Sequence, residues 1–254
     1  MAYCVYCPNL KNASPGQSIS LPDKEAHHLI KVRRIRSGAD LMVFDGQGGA
    51  MRAKLVCESS PPSAELKSDA RCSELWPKLE LAVGMIKHKA MEWLIREASA
   101  LGVSRIQLLD CKHSESRVSA KSLESKKQRW KSVALEGCKQ SGQLILPAIE
   151  QPIEVGRFAA QLSRANSQRI ASLVCSLEQT ASPLGDALGR YANKGFVSAL
   201  ERICVIIGPE GDFSPEEYDQ LRRSATDEVF FGNLVLRSET AALYSLSVID
   251  HWRK

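Results

Sequence analysis

From residue 79 onward, short apolar runs alternate with segments of helical period, and this alternation restricts the fold more than any other feature. Residues 79–83, 103–109, 170–174, 203–207 and 229–231 read as strands. After Gly84, the residues Met91, Leu94, Ile95, Ala98 and Leu101 recur on one helical face, and Gly102 stands where a helix stops. Residues 122–140 form a long basic helix, with further helices between the later strands. Strand and helix in alternation give an α/β fold: a parallel sheet with helices on its faces. No internal repeat is present.

The first seventy or so residues have a different texture. Residues 17–21 alternate like a strand, Asp23 is placed to cap a short helix through His27, His28, Ile30 and Val32, and Gly38 ends that unit. Residues 41–44 run into the turn signal Asp45-Gly46, and residues 51–57 alternate again. This reads as a small β-rich, barrel-like module. The Ser- and Pro-rich stretch at 59–63 reads as a loop within it, and a linker falls near 73–77.

With 34 Lys plus Arg against 29 Asp plus Glu, the 254-residue chain carries +5. That excess matters only where it clusters. Lys31, Arg33, Arg34 and Arg36 crowd together, as do Lys126, Lys127, Arg129 and Lys131 around Trp130, and Lys87-His88-Lys89 adds a third group. Each is a solvated helix face or an RNA contact. Eight cysteines are scattered, and only Cys4 and Cys7 are closely spaced. A lone CxxC does not make a zinc site, so no metal is expected and the thiols are read as reduced. Adjacent His27 and His28 point to different faces and form no metal pair. Without a leader pattern or an apolar run near the ~20 residues of a membrane span, a cytoplasmic location is expected, with no membrane partner.

The chemistry-bearing residues gather near the C-terminus. The run Ile206-Ile207-Gly208-Pro209-Glu210-Gly211 is a strand stopping at a tight loop, where glycine lets backbone approach a ligand. Ligands of open α/β sheets sit at such strand ends. The loop is neither a Walker A nor a GxGxxG pattern, which disfavours phosphate and leaves backbone groups to read an adenine ring. Phe231-Gly232-Asn233-Leu234-Val235-Leu236 then leads to Arg237-Ser238-Glu239-Thr240 at the mouth of a last, apolar helix. Ser238 can cap that helix, and Glu239 suits its first turn whatever else it does. Glu136, Gln140 and Ser141 stand near the end of the basic helix before Gly142, and Cys138 has no activating neighbour in sequence.

In combination these motifs resemble the RsmE-type ribosomal RNA methyltransferases, a branch of the SPOUT superfamily. The elements are His27-His28-Leu29-Ile30-Lys31-Val32-Arg33-Arg34, Phe44-Asp45-Gly46, Glu136-x-Cys138-x-Gln140-Ser141-Gly142, Ile207-Gly208-Pro209-Glu210-Gly211 and Leu236-Arg237-Ser238-Glu239-Thr240-Ala241, in that order across nearly the whole chain. The resemblance implies a PUA-like RNA-binding barrel over residues 1–73 and a SPOUT α/β methyltransferase domain over 74–254, with a deep trefoil knot at about 170–254. It implies S-adenosylmethionine as the methyl donor, held by Leu177, Gly208, Pro209, Glu210, Gly211, Phe231, Gly232, Leu234 and Leu236. It implies a homodimer that methylates N3 of one uridine in 16S ribosomal RNA of the small subunit. RNA would be gripped through Lys31, Arg33, Arg34, Arg36, Gln140 and Ser141.

By the same resemblance Arg237 and Glu239 are the catalytic pair. Uridine N3 must lose a proton, and Glu239 would take or relay it while Arg237 stabilises developing negative charge. Three positions depart from the family pattern: Asp212 replaces a usual glycine, and Leu234 and Gln143 replace usual arginines. Two other readings stay open: a SPOUT enzyme acting on a ribose 2′-hydroxyl or a tRNA base, and a non-catalytic RNA-binding assembly factor.

Overall fold

The computed structural model describes residues 2–71, 76–165, 169–178, 180–193, 200–224 and 226–253. The expected boundary between residues 73 and 74 lies outside the described residues. The chain divides into two compact units: residues 1–74 with 135–146, and residues 75–134 with 147–254.

The first unit is built on a five-stranded sheet in the order β1-β3-β4-β5-β2. β1 (Tyr3–Tyr6) pairs in parallel with β3 (Asp40–Phe44); β3, β4 (Gly49–Val56), β5 (Ser63–Arg71) and β2 (Ser18–Ser20) pair antiparallel. A bulge at Arg52/Ala53 breaks the β4–β5 register, which strengthens the local twist. The period of two sorts side chains onto two cores. Val5, Leu41, Val43, Ala53, Leu55 and Leu66 pack on one side; Phe44, Ala50 and Leu144, with Tyr6 and Met42, pack on the other.

Two of these strands are not apparent in the sequence. β5 follows directly on the Ser- and Pro-rich loop and is not apparent in the sequence, yet Ala64 and Leu66 are fully buried, with half-exposed Glu65 between them. β1 carries Cys4 and is followed directly by Cys7, and the alternation of the chain explains them. Cys4 packs in the Phe44 cluster and Cys7 in the Leu41 cluster, so the pair is split across the sheet and cannot chelate.

The short helix also differs from expectation. α1 (Asp23–His27) begins at Asp23 itself, with Pro22 at the cap position, and gives way to a π-type turn over His28–Val32. Val32 is consequently exposed rather than on an apolar face.

Residues 135–146 join this unit through specific bonds. Lys139 Nζ donates to both carboxylate oxygens of buried Glu25, at 3.0 and 2.7 Å. Leu146 N donates to Gly46 O, and Ile145 bridges Gly46 and Gln47.

In the second unit a seven-stranded sheet runs β10-β12-β9-β11-β6-β7-β8, with every pairing parallel. The strands are β6 (Lys78–Gly84), β7 (Arg105–Asp110), β8 (Ala148–Glu154), β9 (Ile170–Cys175), β10 (Ser182–Pro183), β11 (Arg202–Ile207) and β12 (Asp227–Phe230). β8 escapes the apolar pattern because it is an edge strand containing Pro152. The helices are α2 (His88–Ala100), α3 (Ala120–Ser141, whose residues from Leu135 onward belong to the first unit), α4 (Val155–Ala165), α5 (Leu184–Asn193), α6 (Pro215–Arg222) and α7 (Ser238–Trp252).

Helices cover both faces, as parallel strands require. On one side Leu94, Ile95, Ala98, Ala242, Leu246 and Ile249 pack against Leu81, Val83 and Val205; on the other Phe158, Tyr218 and Leu221 pack against Ala82, Val174 and Ile206. Each fully buried leucine or isoleucine contributes roughly 1.5–3 kcal/mol. α2 ends as its sequence suggests, with Gly102 at φ +78 and Val103 N bonded back to Ala98 O. Trp130, flanked by the basic residues of α3, is buried in the core. α7 is less enclosed than its composition implies, because Tyr244 stands exposed. Among the described residues no helix is long and apolar enough to cross a membrane.

Burial pushes the Cys7 and Cys138 thiols from 9.0 up to about 12, with the Glu25 charge adding to the effect at Cys7. Cys138 is therefore held as an unreactive thiol. The folded state prefers the neutral form. Its contribution is complete below about pH 9 and is lost as pH rises toward the folded value. Denaturation midpoints followed from about pH 8 to about pH 11 are expected to fall less steeply for a Cys7→Ala/Cys138→Ala variant than for the natural chain.

Candidate active site

After Arg202, β11 is apolar and buried through Ile207, where the chain must turn out of the sheet. It does so through a loop pressed against its neighbours. A Cβ at Gly84, the end of adjacent β6, would come within 2.5 Å of Pro209 N. A Cβ at Gly208 would lie 2.8 Å from an Asp212 carboxylate oxygen, and one at Gly211 would lie 2.9 Å from His113 Cβ. These glycines are required for close approach, not for unusual dihedrals.

Asp212 is the exception, a non-glycine residue at φ +60. Its carboxylate accepts from Phe213 N at 2.8 Å and from the Tyr218 hydroxyl at 2.9 and 3.0 Å. The departure from glycine is thus compensated: the side chain ties the strained loop to α6. Burial, and then the Asp212 charge, push the Tyr218 phenol well up. Glu210 is also engaged, its Oε1 accepting from Lys87 N, ahead of α2, at 3.0 Å. α6 starts with a capping box, Ser214 and Glu217 bonding each other's backbone amides.

A second segment, Phe231 to Leu236, leaves β12 with Gly232 at φ +106. α7 follows. Arg237, not Ser238, occupies its cap position without a side-chain cap bond; Ser238 is buried and Glu239 sits in the first turn. Glu115 lies 3.0 Å from Lys87 Nζ and raises that ammonium, while the charge of Arg237 opposes the shift.

Together these segments wall a cleft of about 290 Å3 at the carboxyl ends of β9 and β11. Leu177, Gly208, Pro209, Glu210, Leu236 and Arg237 line it. Gly211, Phe231, Gly232, Leu234 and Glu239 belong to the same segments but stand outside its wall. Gly211 faces His113, whose Nδ1 is 3.1 Å from Gly211 O, and the Phe231 ring packs on Tyr244 at 5.4 Å. Cys175, Ile207, Asp212, Val235, Ser238 and Ala241 complete the lining. Cys175 went unnoticed in the sequence, though its place at the end of β9 could have revealed it, since strand ends are where such sheets bind ligands. Burial holds its thiol well above the usual range.

In the first unit, Lys31, Arg33, Arg34 and Arg36 are all exposed on the turn after α1. Arg33 Nε lies 3.2 Å from His28 Nε2, and Arg34 has φ +54. Gln140 and Ser141 are exposed at the end of α3. Gln143 accepts from Leu144 N and Ile145 N, so it closes a turn where the family pattern has a cation.

The RNA methyltransferase domain family matches residues 74–250, well over half of the chain. The chain belongs to this RNA methyltransferase family. An RNA methyltransferase PUA domain matches residues 21–62 of the same chain. Two relatives of this family member are each named Ribosomal RNA small subunit methyltransferase E. That of Synechocystis sp. is 28% identical over 92% of this chain and 73% of its own length. That of Bacillus subtilis is 26% identical over 92% and 90%. A solved structure of a Ribosomal RNA small subunit methyltransferase E from Neisseria gonorrhoeae, bound to S-adenosyl methionine, matches with a TM-score of 0.83. It covers 99% of this chain and 98% of that one at 24% identity, a likeness of fold.

Replacing Asp212 tests the loop of this methyltransferase-family site. Asp212→Ala keeps a strained φ and removes the carboxylate that Tyr218 and Phe213 use, for a cost of about 2–3 kcal/mol. Asp212→Gly relieves the strain and should recover about 1 kcal/mol of that in denaturant unfolding.

Proposed function

We propose that this chain is an S-adenosylmethionine-dependent methyltransferase acting on N3 of one uridine in 16S ribosomal RNA of the small subunit. The observation that carries this reading is the glycine-built cleft at the carboxyl ends of β9 and β11, in a chain that belongs to an RNA methyltransferase family. Relatives spanning nine-tenths of the chain carry the small-subunit methyltransferase name.

The residues present fit the donor. Leu177, Ile207, Val235 and Leu236 offer an apolar surface for an adenine ring, and the Gly208–Pro209 backbone offers polar groups without obstructing side chains. When bound, the donor supplies a methyl group already activated on a sulfonium, so the protein's task is chiefly positioning. Arg237, exposed at the cleft wall, stabilises negative charge on the uracil or holds a phosphate. Glu239, half-buried in the first turn of α7, takes or relays the N3 proton. The proposal includes the trefoil knot near residues 170–254 and a cytoplasmic site of action. It assigns the first unit to RNA, through Lys31, Arg33, Arg34 and Arg36 with Gln140 and Ser141. It also includes a homodimer: Leu234, Val235 and Tyr244 expose 80%, 74% and 47% of their surface beside the cleft, an apolar patch suited to a second copy.

Calorimetric titration with S-adenosylmethionine is expected to show one saturable site per chain, and mass spectrometry of 16S RNA from cells lacking the protein to lose one N3-methyluridine. No donor binding, or a lost methyl on a ribose or on tRNA instead, overturns the reading. For Glu239→Gln we expect turnover to fall about 10²–10⁴-fold with an unchanged melting temperature. Near-normal turnover in a folded variant removes Glu239 from proton transfer and leaves it a residue favoured by the helix dipole.

A further inference from the structure

The cleft at the carboxyl ends of β9 and β11 carries an unbalanced charge. Its charged lining residues are Glu210, Asp212 and Arg237. Two carboxylates against one guanidinium make the lining negative, in a chain whose net charge is +5. The groups that hold these carboxylates do not cancel them. Asp212 accepts from Phe213 N at 2.8 Å and from the Tyr218 hydroxyl at 2.9 and 3.0 Å. Glu210 accepts from Lys87 N at 3.0 Å. An amide and a phenol are neutral donors, so they fix an anion in place and leave its charge intact. Among the described residues neither carboxylate forms an ion pair. Lys87 Nζ, a cation whose charge reaches Glu210, is itself paired with Glu115 at 3.0 Å.

Such a lining separates two ligands that the rest of the cleft treats alike. S-adenosylmethionine and the product of methyl transfer, S-adenosylhomocysteine, share the adenosine and the amino-acid end, with its ammonium and carboxylate. They differ at sulfur. The donor is a sulfonium with a full positive charge. The product is an uncharged thioether, because the departing methyl group leaves its bonding pair on sulfur. Leu177, Ile207, Val235 and Leu236 offer apolar contact to the shared parts and do not distinguish the two. Charge does. In a cleft of about 290 Å3 a ligand lies close to every lining charge, and a net negative wall favours the ligand with the extra positive charge.

We propose that Glu210 and Asp212 make this cleft select its ligand by charge, so that it holds the sulfonium donor more tightly than the thioether product. The proposal rests on the donor-binding reading above and deepens it. The transfer itself then removes the attraction: once the methyl group has gone, the sulfur no longer answers the two carboxylates, and product gives way to fresh donor. The same negative wall disfavours an RNA phosphate inside the cleft, which leaves Arg237 as the lining residue suited to the substrate.

The test is calorimetric titration of the full chain with three ligands: S-adenosylmethionine, S-adenosylhomocysteine and sinefungin, in which a protonated amine replaces the sulfonium methyl. The natural protein should bind the donor about 10-fold more tightly than the product, with sinefungin on the donor's side. Equal affinity for donor and product overturns the proposal without any variant. So does sinefungin binding as weakly as the product, since the preference would then belong to the methyl group and not to charge. Glu210→Gln/Asp212→Asn removes both charges and keeps an oxygen for Lys87 N, Phe213 N and the Tyr218 hydroxyl; asparagine also tolerates the left-handed backbone at position 212. This variant should melt close to the natural protein and bind donor and product within about 2-fold of each other, through weaker donor binding with product affinity unchanged. A 10-fold preference that survives in the folded variant overturns the assignment. Failure of the natural protein to bind any of the three ligands overturns the donor-binding reading itself, whereas binding without preference overturns selection by charge alone.

Discussion

Pro209 lies against Gly84 so closely that a single methyl group on Gly84 would strike the proline nitrogen. Much of the cleft's geometry follows from that contact. β6 and β11 are adjacent parallel strands, buried on both faces, and both end at the same level. A loop leaving β11 must cross the end of β6, and it can do so tightly only if β6 ends in glycine. The crossing holds Gly208 to Asp212 as a backbone wall, with β9 supplying Cys175 and the chain before α7 supplying Leu236 and Arg237. The cleft lies where strand order departs from chain order, with β11 inserted between β9 and β6, the usual position for ligands in open parallel sheets.

The charges around this wall divide by role. Glu210 serves Lys87 N, Asp212 serves Tyr218 and Phe213, and Glu217 serves Ser214 and Lys112 N. Each of these carboxylates satisfies a nearby donor and sets a loop in place. Arg237 caps α7 by position without a side-chain bond and remains exposed at the lining. Such an arrangement suits a site that positions a reactive donor and offers one cation, rather than one that supplies a nucleophile. The cysteines agree with this: burial keeps Cys111, Cys138, Cys175 and Cys204 protonated well beyond neutral pH.

The first unit spends its polar residues differently. Its sheet has a core on each side, and its buried charges are individually anchored: Glu25 by Lys139, and one oxygen of Asp45 by two amides. The exposed cations after α1 sit on and beside a π-type turn, with Arg34 in the left-handed region.

The parallel sheet was legible because its strands are continuous apolar runs and α2 repeats at helical spacing. Both are local patterns that burial writes directly into residue order. Gly208 to Glu210, Leu236 and Arg237 were legible too, because glycine at a strand end is a local requirement. β5 and β8 were not, since half-buried and edge strands leave small or polar residues that look like loops. Nor did the sequence alone reveal that Asp212 is held by Tyr218 or that Cys4 and Cys7 face opposite cores. Each depends on which residues are brought together across the sheet or between loops. The sequence by itself determined the fold class and the cleft's backbone, while the tertiary structure decided which charges are satisfied and by which partners, because that depends on neighbours distant along the chain.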